Sequence, residues 1–141
     1  MPCELIIGGA RSGKSRHAEQ RAAESGLSVH VIVTAEALDE EMRLRIARHQ
    51  ADRPAGWKVV EAPRGLAAAL TAEAAEGRCV VVDCLTLWLA NLLAGAENLP
   101  PGADAEQLPA LTTERAALLG LIPTLPGKVL FVANEVGLGL V

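Results

Sequence analysis

Residues Gly8-Gly9-Ala10-Arg11-Ser12-Gly13-Lys14-Ser15 match the pattern GxxxxGK[ST] without a mismatch and directly follow the apolar run Leu5-Ile6-Ile7. No other stretch restricts the fold as much. Glycines let the backbone turn back on itself so that successive N–H groups converge on phosphate oxygens, and the helix that follows adds the positive end of its dipole. In such a cradle Lys14 reaches the β- and γ-phosphates of a nucleoside triphosphate, and the Ser15 hydroxyl ligates Mg²⁺. The pattern needs a strand before it and a helix after it, and both are legible here.

Residues 15–24 read as a helix with Ala18, Ala22 and Ala23 on one side and Gly26 as its C-terminal cap. The next strand, 29–33, is apolar except for His30, as suits a strand buried on both faces. His30 is taken as structural, because no second His or Cys stands at metal spacing. A second helix is expected over 36–50, with acids first (Glu36, Asp39, Glu40, Glu41) and bases last (Arg43, Arg45, Arg48), in the order that complements the helix dipole. Leu38, Met42, Ile46 and His49 recur at spacings of three and four, so His49 ends an apolar stripe. Arg53-Pro54 then stops the helix.

A short strand over 57–61, an alanine-rich helix over 65–76 closed by Gly77, and a strand over 79–83 follow. That strand delivers Asp83 at its carboxyl end. Residues 85–93 are apolar nearly all round, a helix expected to be buried against the sheet or another subunit, and 95–109 read as a surface loop. A helix over 110–122, a turn bracketed by Pro123 and Pro126, and a strand over 128–133 lead to Asn134-Glu135-Val136-Gly137-Leu138-Gly139.

Strands alternating with helices imply βαβ units and a mainly parallel sheet, with ligands at the carboxyl ends of the strands. The cradle, Asp83 and Asn134-Glu135 all fall on that edge. Asp83 is expected to be the second Mg²⁺ anchor, or the N-cap of the following helix, or both. With no internal repeat and no linker, residues 1–141 are expected to form one domain. Half of the residues are hydrophobic but only 2% are aromatic, so the core must be aliphatic. The net charge of −4, with no basic cluster interleaved with aromatics, argues against nucleic acid as a partner. Cys3, Cys79 and Cys84 are odd in number and lack CxxC spacing, and are expected to be buried thiols in a reducing cytosol rather than a metal site. No apolar run approaches the roughly 20 residues of a membrane span, and a cytoplasmic protein is expected.

A phosphate cradle is shared by kinases, ATPases and switches. More specific are Asp39-x-Glu41-Met42-x-x-Arg45-Ile46-x-x-His49, Arg53-Pro54-x-x-Trp57, Glu61-x-Pro63, Val82-Asp83-Cys84-Leu85-Thr86-Leu87-Trp88-Leu89-x-Asn91-Leu92-Leu93 and Asn134-Glu135-Val136-Gly137-x-Gly139. These blocks closely resemble, in family order, the bifunctional adenosylcobinamide kinase and adenosylcobinamide-phosphate guanylyltransferase family of cobalamin biosynthesis. The resemblance implies a P-loop NTPase of RecA-like α/β fold, its mainly parallel sheet flanked by helices. It implies two reactions, phosphorylation of the aminopropanol hydroxyl of adenosylcobinamide and transfer of GMP from GTP to the resulting phosphate. ATP and GTP are the implied nucleotides, with Mg²⁺, and a homo-oligomer, a trimer, is the implied assembly.

By the same resemblance His49 carries the guanylyl group, and Thr34, Ala35, Glu36, Arg53, Pro54, Glu61 and Asp83 join Gly8 to Ser15 in the nucleotide site. Imidazole attacks phosphorus only when neutral; a helix C-terminus favours the cation, while Arg45, Arg48 and Arg53 oppose it, and the residues alone leave that balance open. Lys14 and Arg53 are the expected charge stabilisers, since a guanidinium clamps phosphoryl oxygens with two parallel hydrogen bonds. Arg53 is otherwise a solvated surface residue. Glu61 is either an acceptor for the guanine N1–H and N2–H₂ or a strand-end surface charge. Members of the family usually continue past the Asn-Glu-Val-Gly block, so this chain is expected to be C-terminally truncated relative to them. A P-loop kinase of another small alcohol, or a nucleotide-binding module without catalysis, fits the cradle equally well.

Overall fold

The computed structural model describes residues 3–8, 13–36, 40–51, 53–54, 56–93 and 109–134. Its strands are β1 (Cys3–Gly8), β2 (Ser28–Val33), β3 (Lys58–Glu61), β4 (Arg78–Asp83) and β5 (Lys128–Asn134). The helices are α1 (Lys14–Glu24), α2 (Glu40–Ala51), α3 (Leu66–Glu73), α4 (Leu85–Leu93) and α5 (Pro109–Leu121), and a 3₁₀ turn, Ile122–Thr124, follows α5. All strand pairs are parallel, in the order β1-β5-β4-β2-β3. The α/β sheet expected from the alternation of elements is thus the one observed.

Parallel strands covered on both faces need apolar side chains on both faces, and the inner strands supply them. Val29, Val31 and Val33 of β2, with Cys79 and Val81 of β4, pack against Ala18 and Ala22 of α1. Ile32, Val80, Val82 and Phe131 point the other way, toward Leu66 and Leu70 of α3, Trp88 and Leu92 of α4, and Leu111 and Leu118 of α5. The small alanines let α1 lie close to the strands. Ala23, expected on the same side, is exposed, because only positions 18 and 22 are a full turn apart on the inward stripe. Gly26, at φ +71, ends α1 as expected. Among the described residues, no helix is long and apolar enough to cross a membrane.

Four expectations need correction. Glu36 lies outside any helix, since α2 begins at Glu40, and its carboxylate is taken by Arg64. The third helix ends at Glu73 rather than at 76: Ala74 is extended (ψ 132), and the Arg78 guanidinium donates to the Glu73 carbonyl at 2.6 Å, satisfying a group the helix leaves open. Only Cys79 is fully buried; Cys3 and Cys84 are partly exposed. In α4, Trp88 and Leu92 are buried but Leu89 and Leu93 are each 38% exposed, so this apolar helix is covered by the sheet on one side only.

At the amino ends of the strands, the buried carboxylate of Glu73 gathers His30 Nδ1 at 3.0 Å and Lys58 Nζ at 2.9 Å, with Arg78 at 4.0 Å. The structural reading of His30 thereby acquires a partner. The Lys58 hydrogen bond, with a smaller contribution from His30, holds the Glu73 carboxyl below its ordinary range against the burial that pushes it up. A carboxyl lowered on folding stabilises the native state above its ordinary pKa, and that stability disappears as pH falls through the lowered value. Glu73→Gln is therefore expected to melt lower than the parent at neutral pH, with the difference closing as acid titrates the parent. Melting temperatures taken from neutral pH into the acid range check this; a difference that stays constant would remove Glu73 from the acid limb.

Candidate functional site

The strand register aligns four strand ends along one edge: Gly8 lies beside Asn134, Asp83 beside Val132, and Val33 beside Asp83. The chain leaves β1 and enters β2 three positions away, with β5 and β4 between them, and it turns back only from β3 to β4; this reversal of winding opens a crevice at the carboxyl edge. A cleft of about 340 Å³ occupies it. Its lining combines the polar side chains of Lys14, Ser15, Arg53, Asp83 and Asn134 with the apolar ones of Val33, Ala35, Met42, Ile46 and Leu87.

β1 stops at Gly8 and α1 starts at Lys14. Gly13, the residue before the helix, has φ +80, a left-handed backbone that glycine adopts without steric penalty. No side chain caps the amino end of α1 at Gly13, which leaves the positive pole of the helix open toward the cleft where Lys14 and Ser15 sit. Gly9, Ala10, Arg11 and Ser12 lie outside the described residues.

The Ser15 hydroxyl donates to Asp83 Oδ1 at 3.4 Å. Two hard oxygen donors side by side suit Mg²⁺, which takes one or two protein oxygens and completes its shell with water and substrate phosphate. Among the described residues no group of three or more His, Cys, Asp or Glu forms a dedicated cage. Asp83 is not the N-cap of α4. Cys84 takes that position, its sulfur accepting the Leu87 N–H at 3.4 Å, and the Asp83 carboxylate faces Ser15 and Arg53 instead. Burial pushes the Cys84 thiol up, against the Leu87 N–H bond that lowers it, so it stays protonated at neutral pH. The Asp83-Cys84 peptide is cis.

Arg53 is not a solvated surface residue, since its side chain is only 3% exposed. Its Nη2 lies 3.7 Å from Asp83 and its Nε 3.6 Å from Glu19 of α1, ion pairs too long to be hydrogen bonds. Among the described residues, Nε and Nη1 are buried without a hydrogen-bond partner. Orphaned N–H groups on a buried cation are costly, and an anion in the adjoining cleft would satisfy them.

The remaining expected residues fall in different places. Ala35 lines the cleft, whereas Thr34 stands behind it, fully buried, its hydroxyl donating to the Cys84 carbonyl at 2.8 Å and accepting the Cys84 N–H at 3.0 Å. Glu36 pairs with Arg64, Pro54 is exposed beside Arg53, and Glu61 ends β3 exposed, outside the lining. His49 belongs to α2, but its side chain, like Glu135, lies outside the described residues.

Sequence reading missed Glu19, Trp88, Asn91 and Thr86. Trp88 Nε1 donates to the Arg64 carbonyl at 2.9 Å, Asn91 Nδ2 to the carbonyls of Thr34 at 2.7 Å and Pro63 at 2.9 Å, and Thr86 Oγ accepts the Asn134 N–H at 2.8 Å. A signal was available: polar atoms inside an otherwise apolar helix must find partners when they are buried.

The sequence profile of a family described as cobinamide kinase / cobinamide phosphate guanyltransferase matches residues 4–141. The bifunctional adenosylcobalamin biosynthesis protein CobP of Pseudomonas aeruginosa is 55% identical over 138 residues, 98% of this chain and 74% of that protein. The bifunctional adenosylcobalamin biosynthesis proteins CobU of Salmonella typhimurium and Escherichia coli are 41% and 38% identical over 140 residues, 97% of this chain and 77% of each relative.

Proposed function

Since the chain belongs to the cobinamide kinase / cobinamide phosphate guanyltransferase family, whose two activities are its own, we propose that the cleft at the carboxyl edge of the sheet serves the nucleotide in those reactions. The observation that carries this reading is Arg53, a buried guanidinium with two nitrogens unpartnered among the described residues, lining the same cleft as Ser15 and Asp83.

In the first reaction the aminopropanol hydroxyl of adenosylcobinamide attacks the γ-phosphorus of a nucleoside triphosphate, ATP or GTP, and the nucleoside diphosphate leaves. In the second, a neutral His49 nitrogen attacks the α-phosphorus of GTP, and the bond to pyrophosphate breaks. The phosphate oxygen of adenosylcobinamide phosphate then attacks the same phosphorus, the N–P bond breaks, and adenosylcobinamide-GDP forms with His49 restored. Lys14, the amino end of α1 and Arg53 face the oxygens on which negative charge accumulates, and a preorganised cation in a water-poor cleft acts there without reorganising. Arg53 offers its Nε and Nη1 nitrogens, which lie on different sides of the guanidinium, as separate charge-assisted donors to phosphate oxygens. Ser15 and Asp83 would hold Mg²⁺, which supplies further charge neutralisation on those oxygens.

Met42 and Ile46 line the cleft, and position 49 continues their spacing along α2, which supports His49 as the carrier. Thr34, Ala35, Glu36 and Glu61 are assigned to the nucleoside end, and the exposed Leu89 and Leu93 to contacts within a homotrimer. GTP labelled at its α-phosphate and incubated with the protein and Mg²⁺ is expected to leave an acid-labile, base-stable label, the signature of a phosphoramidate. His49→Asn should abolish the label and leave GTP affinity within about twofold. Label that survives the substitution would assign the carrier elsewhere.

A further inference from the structure

The two loops that follow β2 and β3 carry Ala35, Glu36 and Ala62 to Arg64, and both are held by one helix. Asn91 of α4 spends its two N–H bonds on two carbonyls, that of Thr34 at 2.7 Å and that of Pro63 at 2.9 Å. The neighbouring turn of α4 adds Trp88, whose indole N–H holds the Arg64 carbonyl at 2.9 Å. The loop tips meet in the Glu36–Arg64 ion pair, and their bases are joined by the Ala62 N–H on the Val33 carbonyl at 2.8 Å. One side-chain amide therefore sets the spacing of two loops that are not consecutive in the chain.

We propose that Asn91 is a positioning residue for the nucleoside half of the cleft, holding Ala35, which lines the cleft, and its loop in place against the loop after β3. The inference rests on the assignment of this cleft to GTP. Lys14, Arg53 and the amino end of α1 belong to other elements, and among the described residues the Asn91 amide is spent on Thr34 and Pro63. The base of the loop after β2 is separately fixed to the end of β4 by the Thr34 N–H on the Asp83 carbonyl at 3.1 Å, so losing the α4 amide should loosen the nucleoside side more than the phosphate side. Loops released from their carbonyl anchors sample wider separations, and a ligand that needs one separation loses affinity by the fraction of molecules that no longer present it.

The test separates the halves with two probes, GTP and inorganic tripolyphosphate. Asn91→Ala is expected to raise KM for GTP in guanylyl transfer about tenfold, the order of one to two well-made hydrogen bonds, with kcat within about threefold. Tripolyphosphate, which reports only the phosphate half, should inhibit the variant and the parent equally within about twofold. Trp88→Phe keeps the buried ring and removes only the indole donor; it should shift KM for GTP the same way by a smaller factor, and it decides the matter should Asn91→Ala not fold. Parallel loss of GTP and tripolyphosphate binding, or unchanged GTP kinetics in both variants, would overturn the positioning role. A parent protein that binds tripolyphosphate but not GTP would overturn the functional assignment itself, a failure distinguishable from the other two.

Discussion

Arg53→Met is expected to lower both transfer reactions by about 10²- to 10³-fold, the usual cost of deleting one preorganised charge donor, while the protein stays folded. The guanidinium is 3% exposed, so the positive charge it presents to the cleft is barely screened by water. Removing a buried ion-pair partner usually destabilises a protein strongly, because the other charge is left buried. Here Glu19 and Asp83 are 26% and 23% exposed, and both can rehydrate when Arg53 is gone. The variant also removes two nitrogens left without a partner among the described residues, each of which costs about 1–3 kcal/mol in the unliganded protein. The melting temperature should move little while GTP binding, followed by titration calorimetry, weakens sharply. Arg53→Lys should not restore the site, since an ammonium cannot present a planar fork. Nearly normal turnover in Arg53→Met would place the phosphates elsewhere.

Gly127→Ala should be the most destabilising glycine substitution among the described residues, at about 3–5 kcal/mol, combining left-handed strain with overpacking against backbone. Gly127 has φ +73, and a Cβ built there would stand 2.2 Å from the Ala75 carbonyl oxygen and 2.6 Å from that of Arg78. Neither oxygen can yield freely. The Ala75 carbonyl accepts the Arg78 N–H at 3.2 Å, and Arg78 opens β4. Gly26 provides the comparison, with a similar φ of +71 and nothing within 4 Å of its virtual Cβ. Gly26→Ala should therefore cost only the conformational strain, about 1–2 kcal/mol. Urea unfolding of the two variants measures the difference; equal losses would mean that the turn before β5 relaxes around the methyl group.

These two positions also mark where sequence reading stops. The β-strands were legible because runs such as Cys79 to Val82 leave no other place for so much aliphatic surface, and their alternation with helices implied parallel pairing. The cradle was legible because its glycines, lysine and serine are contiguous. Arg53 stayed divided between clamp and surface charge, since its burial comes from α1 and β4, far away in the sequence. Glu36 was placed at the start of a helix by a local charge gradient, but a partner 28 residues away, Arg64, takes it. Asn91 and Trp88 looked like fragments of an apolar helix until their acceptors, on loops before α3, came into view. Gly127 follows Pro126 and reads as an ordinary turn residue; the two carbonyls that forbid a side chain belong to Ala75, in the turn before β4, and to Arg78, the first residue of that strand.

The strand order has a consequence for synthesis. Among the described residues β1 pairs only with β5, so that Cys3 lies beside Val129 and Gly8 beside Asn134. β2, β3 and β4 can zip together as they leave the ribosome, because their partners lie within a few dozen residues of one another. The first strand to emerge must wait for the last of these five. Pairings over such long separations are slow to close, since chain entropy is lost before any contact compensates it. The phosphate cradle, translated before β2 to β5, is therefore assembled only once β5 has followed them, and a nucleotide can favour only chains that have already been extended past residue 134.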